Sequence, residues 1–279
     1  MPGERALARV GLGGRDGLGR DRGQADRLQR AGTGPVVVLV HSGLSDSRSW
    51  RQQLRDLSDE FTVVAWDAPG CGQSDDPPES YRLPEFADRL ADLIQTLGLR
   101  APHVVGHSFG AALVLELYRR HPTIPASLTL VAGYAGWAGS LPADEVARRL
   151  LSAEQAAEQM AGGQWDPTSI PGLFSDRLSA PTVSELAGIM ADCRPVATRS
   201  MAHALAEADL RDVLADIDVP TLLLHGDADQ RSSPTVAETL HAQIPGSKLV
   251  VLRGLGHECY LESPDQFNDE VRAFRRTFS

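Results

Sequence analysis

The sequence predicts an α/β fold in which a mostly parallel central sheet is flanked by helices and interrupted by a helical insertion. Short, continuously apolar runs rich in β-branched residues recur from Pro35 onward: VVVLV (36–40), TVVAW (62–66), HVVG (103–106), LTLVA (128–132), TLLLH (221–225) and KLVVL (248–252). A strand covered on both faces of a parallel sheet needs such a run. Helix-like segments lie between most of them, and alternation of the two types is the pattern of an open α/β sheet. From about residue 135 to 215 the strand signal stops, over a stretch too long for a simple crossover in a compact domain.

The elements follow in order. Residues 1–32 are rich in glycine and arginine with little periodicity, and are expected to form a poorly ordered or degenerate N-terminal segment. Residues 33–134 and 216–279 then make the α/β core, and 135–215 a helical cap over the strand ends. In LPEFADRLADLIQTLG (83–98), Phe86, Leu90, Leu93, Ile94 and Leu97 recur at helical spacing, and Gly98 supplies the stop. The insertion offers helix-like pieces around 142–163, 182–193 and 199–217. The closing SPDQFNDEVRAFRRTF (263–278) places Ser263 at an N-cap, Pro264 at the first helical position and Gln266 three residues on, with Phe267, Val271, Phe274 and Phe278 as an apolar stripe.

Composition bounds the function. At 279 residues and 42% hydrophobic content the chain can bury the core of one large α/β domain. A formal net charge of −10 argues against nucleic acid or anionic lipid as partner. Lys248 is the only lysine, a bias from which no function is drawn. Cys71, Cys193 and Cys259 are far apart without a CxxC pair, which fits a reducing cytoplasm. Without an apolar run of membrane-spanning length or a secretory signal, the expectation is a cytoplasmic protein with no membrane partner.

Ligands of open α/β sheets bind beyond the carboxyl ends of the strands. There, after HVV, stands Gly106-His107-Ser108-Phe109-Gly110. A strand that turns into a helix within a few residues strains its central residue and brings the positions two before and two after it into contact, so both must be small. Ser108 would project from the sheet top, and the amide of Phe109, at a helix start, would point where an oxyanion forms. The pattern alone is weak; its place between a strand and an amphipathic helix gives it weight.

A serine hydroxyl needs a base, oriented by a third group. His257 lies in a glycine-flanked loop after the last strand, and Asp227 and Asp229 both lie in the loop after the preceding one. His225, ending a strand, reads as a packed or capping residue. His107 is expected to point to another side of the turn, and His103, His121, His203 and His241 have no carboxylate in a comparable loop.

The chain resembles the α/β-hydrolase-fold serine hydrolases over roughly residues 33 to 279. The residues that carry the resemblance are HSGL (41–44), WDAPGCGQS with Asp67, Gly70, Gly72 and Ser74, the GHSFG elbow, GDAD with Asp229, and GHECYLESP with His257 before the final helix. It implies a Ser108–Asp229–His257 triad with Asp229 ahead of Asp227, and a second oxyanion amide from Gly43, with Leu44 the next choice. The sequence departs from the family at Ser42, where glycine is usual and where a serine would not comfortably take a positive φ.

The resemblance implies a serine hydrolase cleaving a small-molecule carboxylic ester or lactone through an acyl-enzyme. Carbon–carbon bond hydrolase, lyase and perhydrolase are the alternatives on the same scaffold, and a non-catalytic ligand receptor ranks behind them. No HExxH, Cys/His cluster or lysine-bearing phosphate loop is present, so neither metal nor cofactor is expected. Cys259 is expected to fill space as a small apolar residue. Trp137, Leu141, Trp165, Ile170, Leu173, Phe174, Ile189 and Met190 are candidates either for a pocket lining or for the cap's own core. Few basic residues in the cap favour a neutral ester or lactone over a phosphate-bearing acyl donor.

Overall fold

A computed structural model of the chain describes residues 6–11, as backbone alone, and residues 25–278. The apolar runs form strands at or within a residue of their expected limits. They are β3 (Val36–Val40), β4 (Thr62–Asp67), β5 (His103–His107), β6 (Ser127–Val131), β7 (Thr221–Gly226) and β8 (Lys248–Leu252). Two further strands precede them, β1 (Ala6–Gly11) and β2 (Ala25–Ala31), and the sheet order is β1-β2-β4-β3-β5-β6-β7-β8. β3 to β8 are parallel, whereas β1 and β2 pair antiparallel, β2 along β4.

Strand periodicity divides the core between the two faces. Val38, Val40, Val64, Trp66 and Val104 point to one side, where they meet α2 (Leu83–Thr96) and α3 (Phe109–Arg120). Val37, Leu39, Val63, Ala65 and Val105 point to the other, against α1 (Arg51–Asp56) and α10 (Pro264–Arg276). Both faces are covered, which is why the strands read as unbroken apolar runs. Full burial of each valine or leucine side chain among them contributes roughly 1.5–3 kcal/mol.

The segment assigned to a poorly ordered or degenerate N-terminus thus contains a strand of the sheet over 25–31, and the expectation for 1–5 and 12–24 lies outside the described residues. β2 leaves little strand signal, because ADRLQRA offers one large apolar residue, Leu28, and sets a charge beside it. Asp26 is nevertheless buried, held by the Arg89 guanidinium of α2 and by the Trp66 indole N–H at 3.2 Å. Ser74 ties the same strand to the loop after β4: its hydroxyl donates to the Asp67 carbonyl at 2.6 Å and accepts from the Arg27 amide at 2.8 Å.

Between β6 and β7 the chain forms α4 (Ala143–Ala161), α5 (Ala180–Ala191), α6 (Pro195–Glu207) and the short α7 (Arg211–Leu214). The elements α8 (Pro234–Gln243) and α9 (Cys259–Glu262) complete the helices. Ser263 does stand at the N-cap of α10, but its side chain makes no capping bond, so the expected capping box with Gln266 is not formed. The stripe behind it is as expected: Phe267, Val271 and Phe274 are buried, and Phe278 packs against the same cluster. All three cysteines are buried free thiols, with Cys259 packed in the core. Among the described residues no helix is long and apolar enough to cross a membrane.

Candidate active site

β5 passes into α3 through Ser108, whose backbone takes φ 54 and ψ −107, a left-handed conformation costly for a residue with a side chain. The flanking glycines show what the turn demands. A Cβ on Gly106 would stand 2.2 Å from the Gly110 carbonyl oxygen, and one on Gly110 would stand 2.3 Å from the carbonyl oxygen of Val40. The Ser108 amide donates to Val131 of the neighbouring strand at 2.9 Å, fixing the turn to the sheet. Ser108 is half-buried between buried neighbours and lines a cavity of about 560 Å³. Phe109 opens α3, so its N–H is among those a helix leaves without an internal acceptor.

Ser42, Gly43 and Leu44, from the loop after β3, line the same cavity. The left-handed conformation in this loop falls on Leu44, with φ 61, and Ser42 is outside that region. Serine is therefore compatible with the position where the resemblance led to expecting glycine. His41 fixes the loop from below: its Nδ1 is 2.7 Å from the Ser42 carbonyl, while its Nε2 accepts from the Ala68 amide at 3.0 Å. Nδ1 is then the protonated nitrogen, and burial keeps the ring neutral by pulling its pKa down.

β7 and β8 bring the acid and the imidazole together. His257 Nδ1 lies 2.8 Å from Asp229 Oδ2, and both side chains are buried. Asp229 Oδ1 accepts from the amides of Arg231 at 2.7 Å and Ser232 at 2.9 Å. Burial opposes ionisation of this carboxyl, but His257 and the Ser232 amide outweigh it and hold its pKa below the ordinary carboxylate value. An ionised Asp229 fixes the proton of His257 on Nδ1 and leaves Nε2 as the basic nitrogen. Asp227 goes elsewhere, accepting from the Gly254 amide. His225 Nε2 donates to the Ser232 carbonyl, 2.7 Å away, and so braces the Asp229 loop. His257 also lines the cavity, as Ser108 does.

Two buried residues behind the imidazole carry no signal in the sequence. His107 Nε2 donates to the His257 carbonyl at 2.9 Å, which leaves Nδ1 unprotonated; burial, then the nearby His257, hold the ring well below its usual pKa. Its Nδ1 faces Glu258 Oε2 at 3.9 Å, and neither atom has a hydrogen-bond partner among the described residues. Burial pushes the Glu258 carboxyl up to about 7. His107, His257 and Glu258 are the one cluster of three side chains with metal-ligating atoms that close together among the described residues. Asp229 and the carbonyl contact already engage one nitrogen of each imidazole.

Most of the remaining cavity wall comes from the insertion, joined by Gln230, Arg231 and Glu258 from the core. Of the eight candidates, Trp137, Trp165, Ile170, Leu173 and Met190 line the cavity. Leu141, Phe174 and Ile189 do not; Leu141 and Phe174 pack against neighbouring clusters instead.

Comparison with known proteins agrees with this architecture. The profile described as Alpha/beta hydrolase family matches residues 37–270. The chain belongs to the α/β hydrolase family. An uncharacterized protein of Mycobacterium tuberculosis H37Rv is 29% identical to this chain over 269 residues, covering 88% of this chain and 77% of its own. The putative carbamate hydrolase RutD of Escherichia coli O127:H6 is 29% identical over 246 residues, covering 84% of this hydrolase and 88% of its own chain. Among solved structures, a thermophilic esterase from Thermogutta terrifontis superposes with a TM-score of 0.81 at 26% identity, over 98% of both chains.

Proposed function

We propose that this α/β hydrolase cleaves a small-molecule carboxylic ester or lactone through an acyl-enzyme on Ser108. One observation carries the reading: His257 is held by Asp229 at 2.8 Å on the rim of the cavity that Ser108 enters. His257 Nε2 takes the hydroxyl proton as Ser108 Oγ attacks the carbonyl carbon, and Asp229 stabilises the imidazolium that results. The carbonyl oxygen becomes an oxyanion, received by the amides of Phe109 and Gly43. A donor of this kind contributes about 3 kcal/mol to transition-state stabilisation. His257 then returns the proton to the leaving alcohol, and a water activated by the same nitrogen releases the acid. Residues 135–215 act as a cap that shields this step from bulk water.

A second reading has one observation in its favour. The relatives named as putative carbamate hydrolases are 29% identical over most of both chains. A carbamate carbonyl accepts the same attack, and only the group retained on Ser108 differs.

The test is turnover of short- and medium-chain esters, lactones and carbamates by wild type and by Ser108→Ala side by side. At least one class should be cleaved by the wild type, with loss of nearly all activity in the variant and an unchanged melting temperature. Full turnover by Ser108→Ala would remove the reading. Acid plus alcohol, or amine plus carbon dioxide, among the products separates ester from carbamate.

A further inference from the structure

The cavity lining is uneven in charge. Apolar side chains such as Trp137, Leu173 and Met201 form part of it, but Arg148, Arg149 and Arg231 stand together in the wall. What distinguishes the three is how their donors are used. Two of the three are occupied. Arg148 reaches outward, 70% exposed, and pairs with Glu145. Arg149 spends its donors on Glu145 at 2.5 Å, on the Tyr134 hydroxyl at 2.9 Å and on the Arg231 carbonyl at 2.7 Å.

Arg231 is different. Its backbone is fixed on both sides, since its amide donates to Asp229 and its carbonyl accepts from Arg149 and from the Tyr134 hydroxyl. Its guanidinium, on a half-buried residue, has no hydrogen-bond or ion-pair partner among the described residues. The carboxylates near it are otherwise engaged: Asp229 serves His257 and two amides, and Glu258 is buried beside His257. Burial, then the neighbouring Arg149 cation, lowers the pKa of Arg231 from the usual arginine value. Asp229 and Glu258 offset part of this through their charge, but no acceptor meets the guanidinium itself, and a donor taken out of water without an acceptor costs stability.

We infer that Arg231 is the anchor for a carboxylate borne by the substrate, so that the molecule cleaved at Ser108 is an anionic ester or related acyl compound and not a neutral one. The inference rests on the hydrolase reading and names its substrate class; it replaces the neutral ester or lactone expected from the few basic residues of the cap. A planar guanidinium with a free edge matches the two oxygens of a carboxylate. A phosphate fits less well, because its third oxygen would need a further donor and Arg148 and Arg149 already give donors to Glu145. The anchor also has register: Arg231 sits two residues beyond Asp229 on the loop that orients His257, so a carboxylate bound there is held at a fixed reach from the imidazole.

The experiment is calorimetric binding to the Ser108→Ala protein, which needs no turnover. The ligands are the monoethyl esters of succinate, glutarate and adipate, each with its length-matched neutral partner, ethyl butanoate, pentanoate or hexanoate. At least one acid should bind about 10- to 100-fold more tightly than its partner, the range of a charge-assisted hydrogen-bonded pair. Adding Arg231→Gln should bring that ratio close to one, with Arg231→Met doing the same where the glutamine variant does not fold. Acids that bind no better than their neutral partners, or a preference that survives both substitutions, would overturn the inference. Failure of the wild type to hydrolyse any of these esters counts against the hydrolase reading alone, because the binding ratio is measured without it.

Discussion

His107 donates its Nε2 proton to the backbone carbonyl of His257, 2.9 Å away. The residue before the elbow serine thus holds the loop that carries the imidazole, and Ser108 and His257 line one cavity. Replacing His107 with alanine removes the donor and leaves a void in a buried site. The expected result is a fall in kcat of about tenfold or more with a smaller change in KM, because misplacement of a reacting group acts chiefly on the chemical step. Steady-state kinetics on a cleaved ester checks this. An unchanged kcat would make His107 a packing residue only.

Asp229 and Asp227 occupy one loop, and their partners separate them: His257 for the first, the Gly254 amide for the second. Asp229→Asn should lower kcat by about 10³- to 10⁴-fold with the fold retained, since an amide favours the wrong imidazole tautomer. Asp227→Asn should leave kcat within a few-fold. Comparable losses in both variants would count against the assignment.

The elbow makes a sharper demand on stability. Gly106→Ala would drive a methyl group against the Gly110 backbone, with nothing flexible to yield. A loss of about 3 kcal/mol or more is expected, at the upper end of overpacking costs. Gly98, with φ 62 and no atom within 4 Å of an added Cβ, is the control. Alanine there carries only the backbone penalty, about 1 kcal/mol. Chemical denaturation of the two variants measures the difference.

Glu258 gives a pH signature. Its carboxyl titrates from an ordinary value of 4.5 in the unfolded chain and near 7 in the fold, where His107, His257, Tyr260, Asp229 and Glu262 surround it. Between these values the folded chain keeps a proton that the unfolded chain has released. Stability from this group is therefore present below the lower value and is lost as pH rises through the higher one. Glu258→Gln, which mimics the protonated form, should raise the melting temperature at about pH 8 and much less at about pH 5. A difference independent of pH would mean that the carboxyl does not titrate in this window.

The sequence was most informative where one physical cause dominates. Strands covered on both faces must be apolar throughout, so Val36–Val40 and Thr221–Gly226 were legible from composition alone. The elbow was legible because its glycines answer a backbone clash local to five residues. β2 was not, because its buried charge is offset by Arg89, 63 positions away. Asp227 and Asp229 are alike in sequence, and only the fold separates them, by bringing Asp229 to His257. The roles of His107 and Arg231 depend on contacts across the fold, His107 with a carbonyl 150 residues on and Arg231 with Arg149 82 residues back. Such pairings leave no periodicity for a sequence to display.

The most direct test of the central claim is intact-mass spectrometry of the native protein after exposure to a fluorophosphonate, which reacts only with a serine whose base and oxyanion donors are assembled. A single adduct mapping to Ser108, absent from Ser108→Ala and much slower to form in Asp229→Asn, is the result the account requires. No adduct on the native protein, or one that persists when Ser108 is replaced, would contradict it.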